Sequence, residues 1–195
     1  LMDRALSHTL ALTPACVEVL QPGLSDLTAV EGLVRAVVGE AAGRDGVDLP
    51  MAFQDAVSVF SILVQAAGEE CGAFDRSWVD TTLQLLRHYD DADSCSRAIG
   101  LASSYAVFGG RACPLGRGLA DALLDILAKD DVLRGLRPHA VSCLGDLALA
   151  IRGDMTDAQV ANMYEVIRAI MSLPPGDDLE YEDFRVELWA NTIEC

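Results

Sequence analysis

The residues of this 195-residue chain with chemistry to offer are three histidines, six cysteines and thirty carboxylates. His8, His88 and His139 lie far apart, and no Ser-His-Asp, P-loop, HExxH or GxGxxG pattern accompanies them. Each histidine reads as a surface or interface residue, and the glycines punctuate turns rather than cradle phosphate. Cys16, Cys71, Cys95, Cys113, Cys143 and Cys195 show neither CxxC nor Cys/His spacing, so they are expected to be reduced and mostly buried. The acidic pairs Asp90-Asp91, Asp130-Asp131 and Asp177-Asp178 are the remaining metal candidates. They recur at helix ends, where caps and solvated turns use carboxylates in the same way. The expectation is a chain with no catalytic residue, no metal and no cofactor, and one that is not an enzyme.

Charge narrows the partners. Lys+Arg of 14 against Asp+Glu of 30 gives a net charge of −16, which argues against direct nucleic-acid binding because phosphate affinity needs neutralising cations. A basic protein partner fits better, beside the plainer role of acidity in solubility. An apolar content of 51% supports a packed core rather than a disordered tail. Charged residues interrupt every apolar run before the roughly 18 residues a bilayer crossing needs, so no membrane insertion is expected. The chain starts at Leu1 and stops at Cys195 within a helical pattern, which leads us to expect a piece of a longer protein.

The elements that must carry these residues are helices. Trp78, Val79, Thr82, Leu83 and Leu86 fall on one stripe, as do Leu119, Leu123, Leu124, Ile126 and Leu127, and Val160, Met163, Tyr164, Ile167, Ile170 and Met171. No stretch alternates as a strand would. Ser25 with Asp26, Asp75, Asp93 and Thr156 stand before periodic runs as N-caps, and Thr156-Asp157-Ala158-Gln159 has the capping-box pattern. Pro50 suits a first turn. Breaks at Gly43-Arg44-Asp45-Gly46, Gly109-Gly110-Arg111, Gly153-Asp154 and Pro174-Pro175-Gly176 then predict helices near 2–20, 25–41, 51–69, 76–89, 94–108, 115–129, 132–152, 157–172 and 180–195.

A repeat organises them. The apolar, small-residue segments that begin at Ala56, Ala98 and Ala140 follow one another at 42-residue steps without a gap. Small residues recur at Ser61, Ser103 and Gly145, where a neighbouring helix would approach closely. A period of 40–47 residues with two helices per unit is the mark of HEAT or armadillo arrays. The fold class expected is therefore all-α, an α-α superhelix of antiparallel helix pairs and about four and a half repeats. The approximate units are 1–24 (partial), 25–70, 71–112, 113–154 and 155–195. The competing reading is a single-copy helical bundle whose alanine-rich helices look alike.

The segment from Val132 to Gly153 resembles a repeat in the middle of importin-β, which reads as a basic-proline turn followed by S-x-[FL]-G-D-I-A-L-A-I-G-G. The match takes in Pro138 and the pair Gly145-Asp146, and Arg152 departs from the family's glycine. Glu180 to Trp189 is similar to the next repeat, Gln54-Asp55-Ala56-Val57 and Ser94 to Gly100 to the preceding two, and Leu6 to Val37 to the one before those. The resemblance implies the central to C-terminal half of such a receptor. HEAT units also commonly pair a turn Asp with an Arg six residues on in a ladder between repeats, a spacing met by Asp131 and Arg137 and, with a shift of two, by Asp91 and Arg97.

Members of this family wrap around the importin-β-binding segment of importin-α or a basic cargo signal. They bind phenylalanine-glycine nucleoporins on the convex side, in grooves between outer helices, and release cargo to Ran-GTP, shuttling between cytoplasm and nucleus through the pore. If the Ala56, Ala98 and Ala140 helices are the inner ones, periodicity turns Asp55, Ser58, Gln65 and Glu69 outward on the first. Arg97, Ser104 and Arg111 follow on the second, and Ser142 or His139, with Asp146, on the third. The densest charge is the run Asp177, Asp178, Glu180, Glu182 and Asp183. Asp55, Glu69, Asp146 and this run are the candidate partner-binding residues. The alternative is a HEAT scaffold outside transport, such as a phosphatase scaffold or chromosome-organising subunit, with an enzyme's helical accessory domain third.

Overall fold

The computed structural model describes residues 23–42, 51–74, 77–87, 91–109, 117–129, 134–151, 153–176 and 178–194. Among them are eight α-helices and no strand: α1 Leu24–Ala42, α2 Met51–Ala67, α3 Ser77–Arg87, α4 Ala92–Gly109, α5 Arg117–Ala128, α6 Leu136–Ala150, α7 Asp157–Met171 and α8 Leu179–Glu194. A 3-10 helix, Gly68–Ala73, continues α2 after Gly68 takes φ +55, a left-handed conformation that ends the α-helical ladder and suits glycine. The helix expected over 2–20 lies outside the described residues, and so do Asp75, Arg111, Asp131 and Asp177.

Consecutive helices pack as pairs, α1 with α2, α3 with α4, α5 with α6 and α7 with α8, and the pairs stack. The even-numbered helices form one layer and the odd-numbered helices the other. The even layer packs helix on helix more closely, as the inner layer of a superhelix must, and we take it as the inner layer. This is an all-α HEAT solenoid. Ala56, Ala98 and Ala140 are 1%, 0% and 0% exposed at equivalent places on α2, α4 and α6. A side chain no larger than methyl lets neighbouring inner helices approach closely without leaving a void.

One continuous core runs through the stack from Leu27 to Leu188. Its aromatic focus joins three helices: Phe60 of α2 stacks on Trp78 of α3 at 3.8 Å and 10°, and lies 6.0 Å from Tyr105 of α4. Trp78 also donates from Nε1 to the buried Glu31 carboxylate at 2.8 Å, fastening α3 to α1. Fully burying a leucine, isoleucine or phenylalanine is worth ~1.5–3 kcal/mol, so a core of this kind outweighs the polar seams described below.

Three helix starts differ from the sequence reading. α1 begins at Leu24, with Leu27 N donating to Gly23 O at 3.2 Å, so Ser25 and Asp26, read as its caps, fall within its first turn. Asp91, not Asp93, caps α4: its Oδ1 accepts from Ser94 N at 3.3 Å and its Oδ2 from Ser94 Oγ at 2.6 Å. Asp93 lies inside the first turn. α6 begins at Leu136 rather than 132 because of Pro138, which lacks an N–H and whose ring would strike the carbonyl four residues back. Starting at Leu136 places the proline among the first-turn positions that need no donor. The capping box at α7 forms as read, with Thr156 Oγ1 accepting from Gln159 N and Gln159 Oε1 from Thr156 N.

Candidate functional site

Where α2 meets α4, and α4 meets α6, the inner layer is stitched by side-chain hydrogen bonds 39–43 residues apart in sequence. Gln54 Nε2 reaches Ser94 Oγ at 3.4 Å near one end of the first seam, Arg97 Nη1 donates to Ser58 Oγ further along, and Ser61 shares a 2.6 Å bond with Ser104. Ser104 Oγ also accepts from Gln65 Nε2 at 3.2 Å and donates to Gly100 O at 3.0 Å. A hydroxyl has one proton and two lone pairs, so Ser104 is saturated. In the second seam Ser103 Oγ donates to Asp146 Oδ2 at 2.7 Å.

Ser104 is therefore not an outward-facing inner residue, as periodicity suggested, but a buried one held between helices. Asp146 is half-buried and committed to Ser103. Asp55 lies on α2 beside Gln54, with its side chain outside the described residues, while Glu69 is exposed on the 3-10 helix. His139 and Ser142 are exposed on α6, as expected.

The acidic run opens α8. Asp178 Oδ1 accepts from Tyr181 N at 2.7 Å and so caps the helix. Glu182 pairs with Arg185 at 2.6 Å and accepts from Gly176 N. These two contacts, the Arg185 bond first, hold its carboxyl below the usual glutamate range. Glu180 and Asp183 are exposed. Arg134, at the entry to α6, sits 5.3 Å from the Tyr181 ring centroid. The seam partners advance together along α2 and α4, so the inner helices are parallel. Glu69, beyond the C-terminal end of α2, and the run at the N-terminal end of α8 thus lie at opposite edges of the layer. The candidate carboxylates do not converge on one patch.

Arg137 donates from Nη2 to Lys129 O, while its buried Nε has no partner among the described residues; Asp131, its expected ladder partner, lies outside them. Cys71, Cys95 and Cys143 are buried, and Cys95 and Cys143 are reduced thiols. Burial, reinforced by Asp91, pushes the Cys95 thiol up to about 11, and burial with Asp146 pushes Cys143 up as well. Thiols of this kind are poor nucleophiles.

A groove on the outer layer was not singled out from the sequence. It lies between α5 and α7, holds about 430 Å³ and is lined by Asp121, Leu124, Asp125, Ala128, Asn162, Glu165 and Val166. On α5 the lining residues fall at i, i+3, i+4 and i+7 and on α7 at i, i+3 and i+4, one stripe on each helix. Leu124, which is buried, and Val166, half-buried, form its apolar floor with Ala128 exposed at one end, and the exposed Asp121, Asp125 and Glu165 make an acidic rim. Gln159 Nε2 donates to Asp121 Oδ1 at 2.7 Å and bridges the two helices at one end. The stripe spacing was available in the sequence, but nothing there tells a groove-lining leucine from a core one.

The match to a known family spans most of these elements: residues 51–195, well over half of the chain, match the family model described as Importin subunit beta-1-like, TPR repeats.

Proposed function

The chain belongs to the importin subunit beta-1-like family, and from that premise we propose that it is the cargo-holding and pore-contacting part of a nuclear import receptor. It is a HEAT-repeat protein of the nuclear-transport-receptor type. In our reading it is a carrier, not a catalyst. Its inner layer receives a basic import signal or the importin-β-binding segment of importin-α, its outer groove takes phenylalanine-glycine nucleoporin repeats, and Ran-GTP releases the cargo. It shuttles between cytoplasm and nucleus through the pore.

The observation that carries this reading is the two-sidedness of the array. A polar inner layer and an apolar-floored outer groove of about 430 Å³ lie on opposite faces of one stack. That volume falls in the ~300–1,000 Å³ range of ligand pockets and admits an aromatic side chain. A receptor must hold cargo and touch the pore at the same time, which opposite faces permit. Of the acidic candidates we assign the exposed Glu180 and Asp183 to a basic partner, and we propose Asp55, Glu69, Asp146, Asp177, Asp178 and Glu182 as partner contacts elsewhere along the array. Asp131 and Arg137 are proposed as a rung of the inter-repeat ladder. The proposed unit boundaries are 25–70, 71–112, 113–154 and 155–195, after a partial unit over 1–24.

The test is capture of the intact protein on an immobilised importin-β-binding peptide, with and without GTP-loaded Ran. Capture that Ran-GTP reverses is the expected result. Capture indifferent to Ran-GTP overturns the reading and returns the non-transport scaffold.

A further inference from the structure

The rim of the α5–α7 groove has a charge pattern that its apolar floor does not require. Asp121 and Asp125 stand one turn apart on α5, and Glu165 faces them from α7. Asp121 is engaged by a neutral amide, Gln159 Nε2, so its charge is not cancelled there. Asp125 pairs with Lys129 at 2.7 Å and Glu165 with Arg168, but each cation sits on the acid's own helix, three or four residues further on. Both pairs are exposed at the surface, and each cation offsets part of its partner's charge, which leaves Asp121 as the rim carboxylate held by an amide and not by a cation. An occupant that buries an apolar side chain against Leu124 and Val166 excludes water beside Asp121, and that strengthens its field at the groove mouth.

We propose that this groove selects apolar anchors carrying a lysine or arginine beside them, so that it discriminates among phenylalanine-glycine segments by the charge of their flanking residues. The inference rests on the reading of the groove as a nucleoporin site and adds a specificity filter to it. Leu124, Ala128 and Val166 take the aromatic ring. Asp121, Asp125 and Glu165 take the flanking cation, while acidic flanks are repelled. The Asp121–Gln159 bridge fixes where the acidic end of the groove lies, so the flanking cation sits toward that bridge and away from Lys129 and Arg168.

Fluorescence anisotropy of the full chain with three labelled peptides tests this: a double Phe-Gly peptide flanked by lysine, the same peptide flanked by serine, and the same flanked by glutamate. At 50 mM NaCl the lysine peptide is expected to bind about fivefold tighter than the serine peptide and the glutamate peptide weakest; at 300 mM NaCl, where the Debye length is shorter, the gap should close. The triple variant Asp121→Asn, Asp125→Asn, Glu165→Gln keeps the side-chain shapes and is expected to erase the lysine preference while still binding the serine peptide. Equal binding of lysine and serine peptides by the native chain overturns the charge filter and leaves the groove reading intact. A lysine preference that persists in the triple variant overturns it too, by assigning the preference to the overall charge of −16. Binding unaffected by Phe→Ala in the peptide, or no binding of any peptide, overturns the groove reading itself.

Discussion

Ser103 donates to Asp146 across 2.7 Å, and this bond is the translation by one 42-residue unit of the 2.6 Å bond between Ser61 and Ser104. The sequence period is thus realised as a repeated side-chain contact between consecutive inner helices. The next position in the series of donors is Gly145, which has no side chain, so this rung is not renewed between α6 and α8. The closing pair is fastened differently: Trp189 of α8 donates from Nε1 to Ile170 O at 2.9 Å, and Arg185 lies 4.2 Å over the Trp189 ring.

The Ser103–Asp146 rung should contribute measurably. A net hydrogen bond to a charged acceptor is worth ~1.5–3 kcal/mol when buried and less at a half-exposed site, so Ser103→Ala should cost about 1 kcal/mol. Urea unfolding of Ser103→Ala, Asp146→Ala and the double variant measures the coupling. Additive effects would remove the rung from the account of stability.

The Trp78–Glu31 pair should be far more sensitive to loss of the donor than to loss of charge. Trp78→Phe preserves part of the stack on Phe60 but leaves a carboxylate that is 3% exposed with the looser 3.9 Å pair to Arg35 in place of its 2.8 Å hydrogen bond. The expected cost is about 2–4 kcal/mol, combining lost packing with a weakened buried acceptor. Glu31→Gln keeps an acceptor oxygen and should cost less than Trp78→Phe; the reverse order in thermal unfolding would contradict the assignment.

Gly176 has a steric role at the entry to α8. A Cβ there would come within 2.8 Å of Tyr181 Cγ and closer still to its neighbouring ring carbon. Gly176→Ala must displace the ring from under Arg134, and we expect ~1–3 kcal/mol of destabilisation with faster amide exchange over the first turn of α8. Unchanged exchange in that turn would show that the ring yields without cost.

The same entry should loosen in acid. The folded-state pKa of Glu182 lies below its ordinary value, because Arg185 and the Gly176 amide both favour the carboxylate. Its stabilisation is therefore present above the unfolded glutamate pKa of about 4.3 and is lost as pH falls through the lower folded value. Glu182→Gln should remove that component of the pH dependence of exchange near Gly176. An identical acid profile in the variant would assign the loosening to other carboxylates.

The buried thiols should act at the opposite end of the pH scale. Cys95 is raised from 9.0 to about 11, so between those values the unfolded chain releases a proton that the folded chain keeps. This thiol leaves stability unaffected below pH 9 and lowers it as pH rises toward 11. Cys95→Ala should flatten this part of the urea-midpoint profile, and a disulfide reagent at pH 8 should label Cys95 and Cys143 only on unfolding. Labelling of Cys95 in the native chain, mapped by mass spectrometry, would contradict its burial.

Much of the architecture was legible because it depends on local chemistry. The capping box at Thr156 and Gln159 is written in four consecutive residues and formed as read. The cap of α4 was misread because Asp91 and Asp93 both precede the apolar run, and only the path of the chain decides which carboxylate reaches the Ser94 amide. Pro138 held the information needed to start α6 at Leu136, through its missing donor. Ser104 was misassigned for a different reason: periodicity separates polar from apolar, and a serine that satisfies itself by bonding to Gly100, Ser61 and Gln65 is polar and buried at once.

What the sequence determined by itself is the repeat: helix-forming stripes, breaks between them and a 42-residue period that favours stacking of like units over a single-copy bundle. Tertiary structure alone decided which carboxylates share a surface. Glu69 and the run from Asp178 to Asp183 went to opposite edges, Asp146 was committed to a seam, and Asp121, Asp125 and Glu165 came together around an apolar floor. The reason is physical. Helix periodicity is a property of neighbours three and four residues apart, whereas α5 meets α7 across some forty residues of chain, at a rotation set by how Leu124, Val166 and the core beneath them pack.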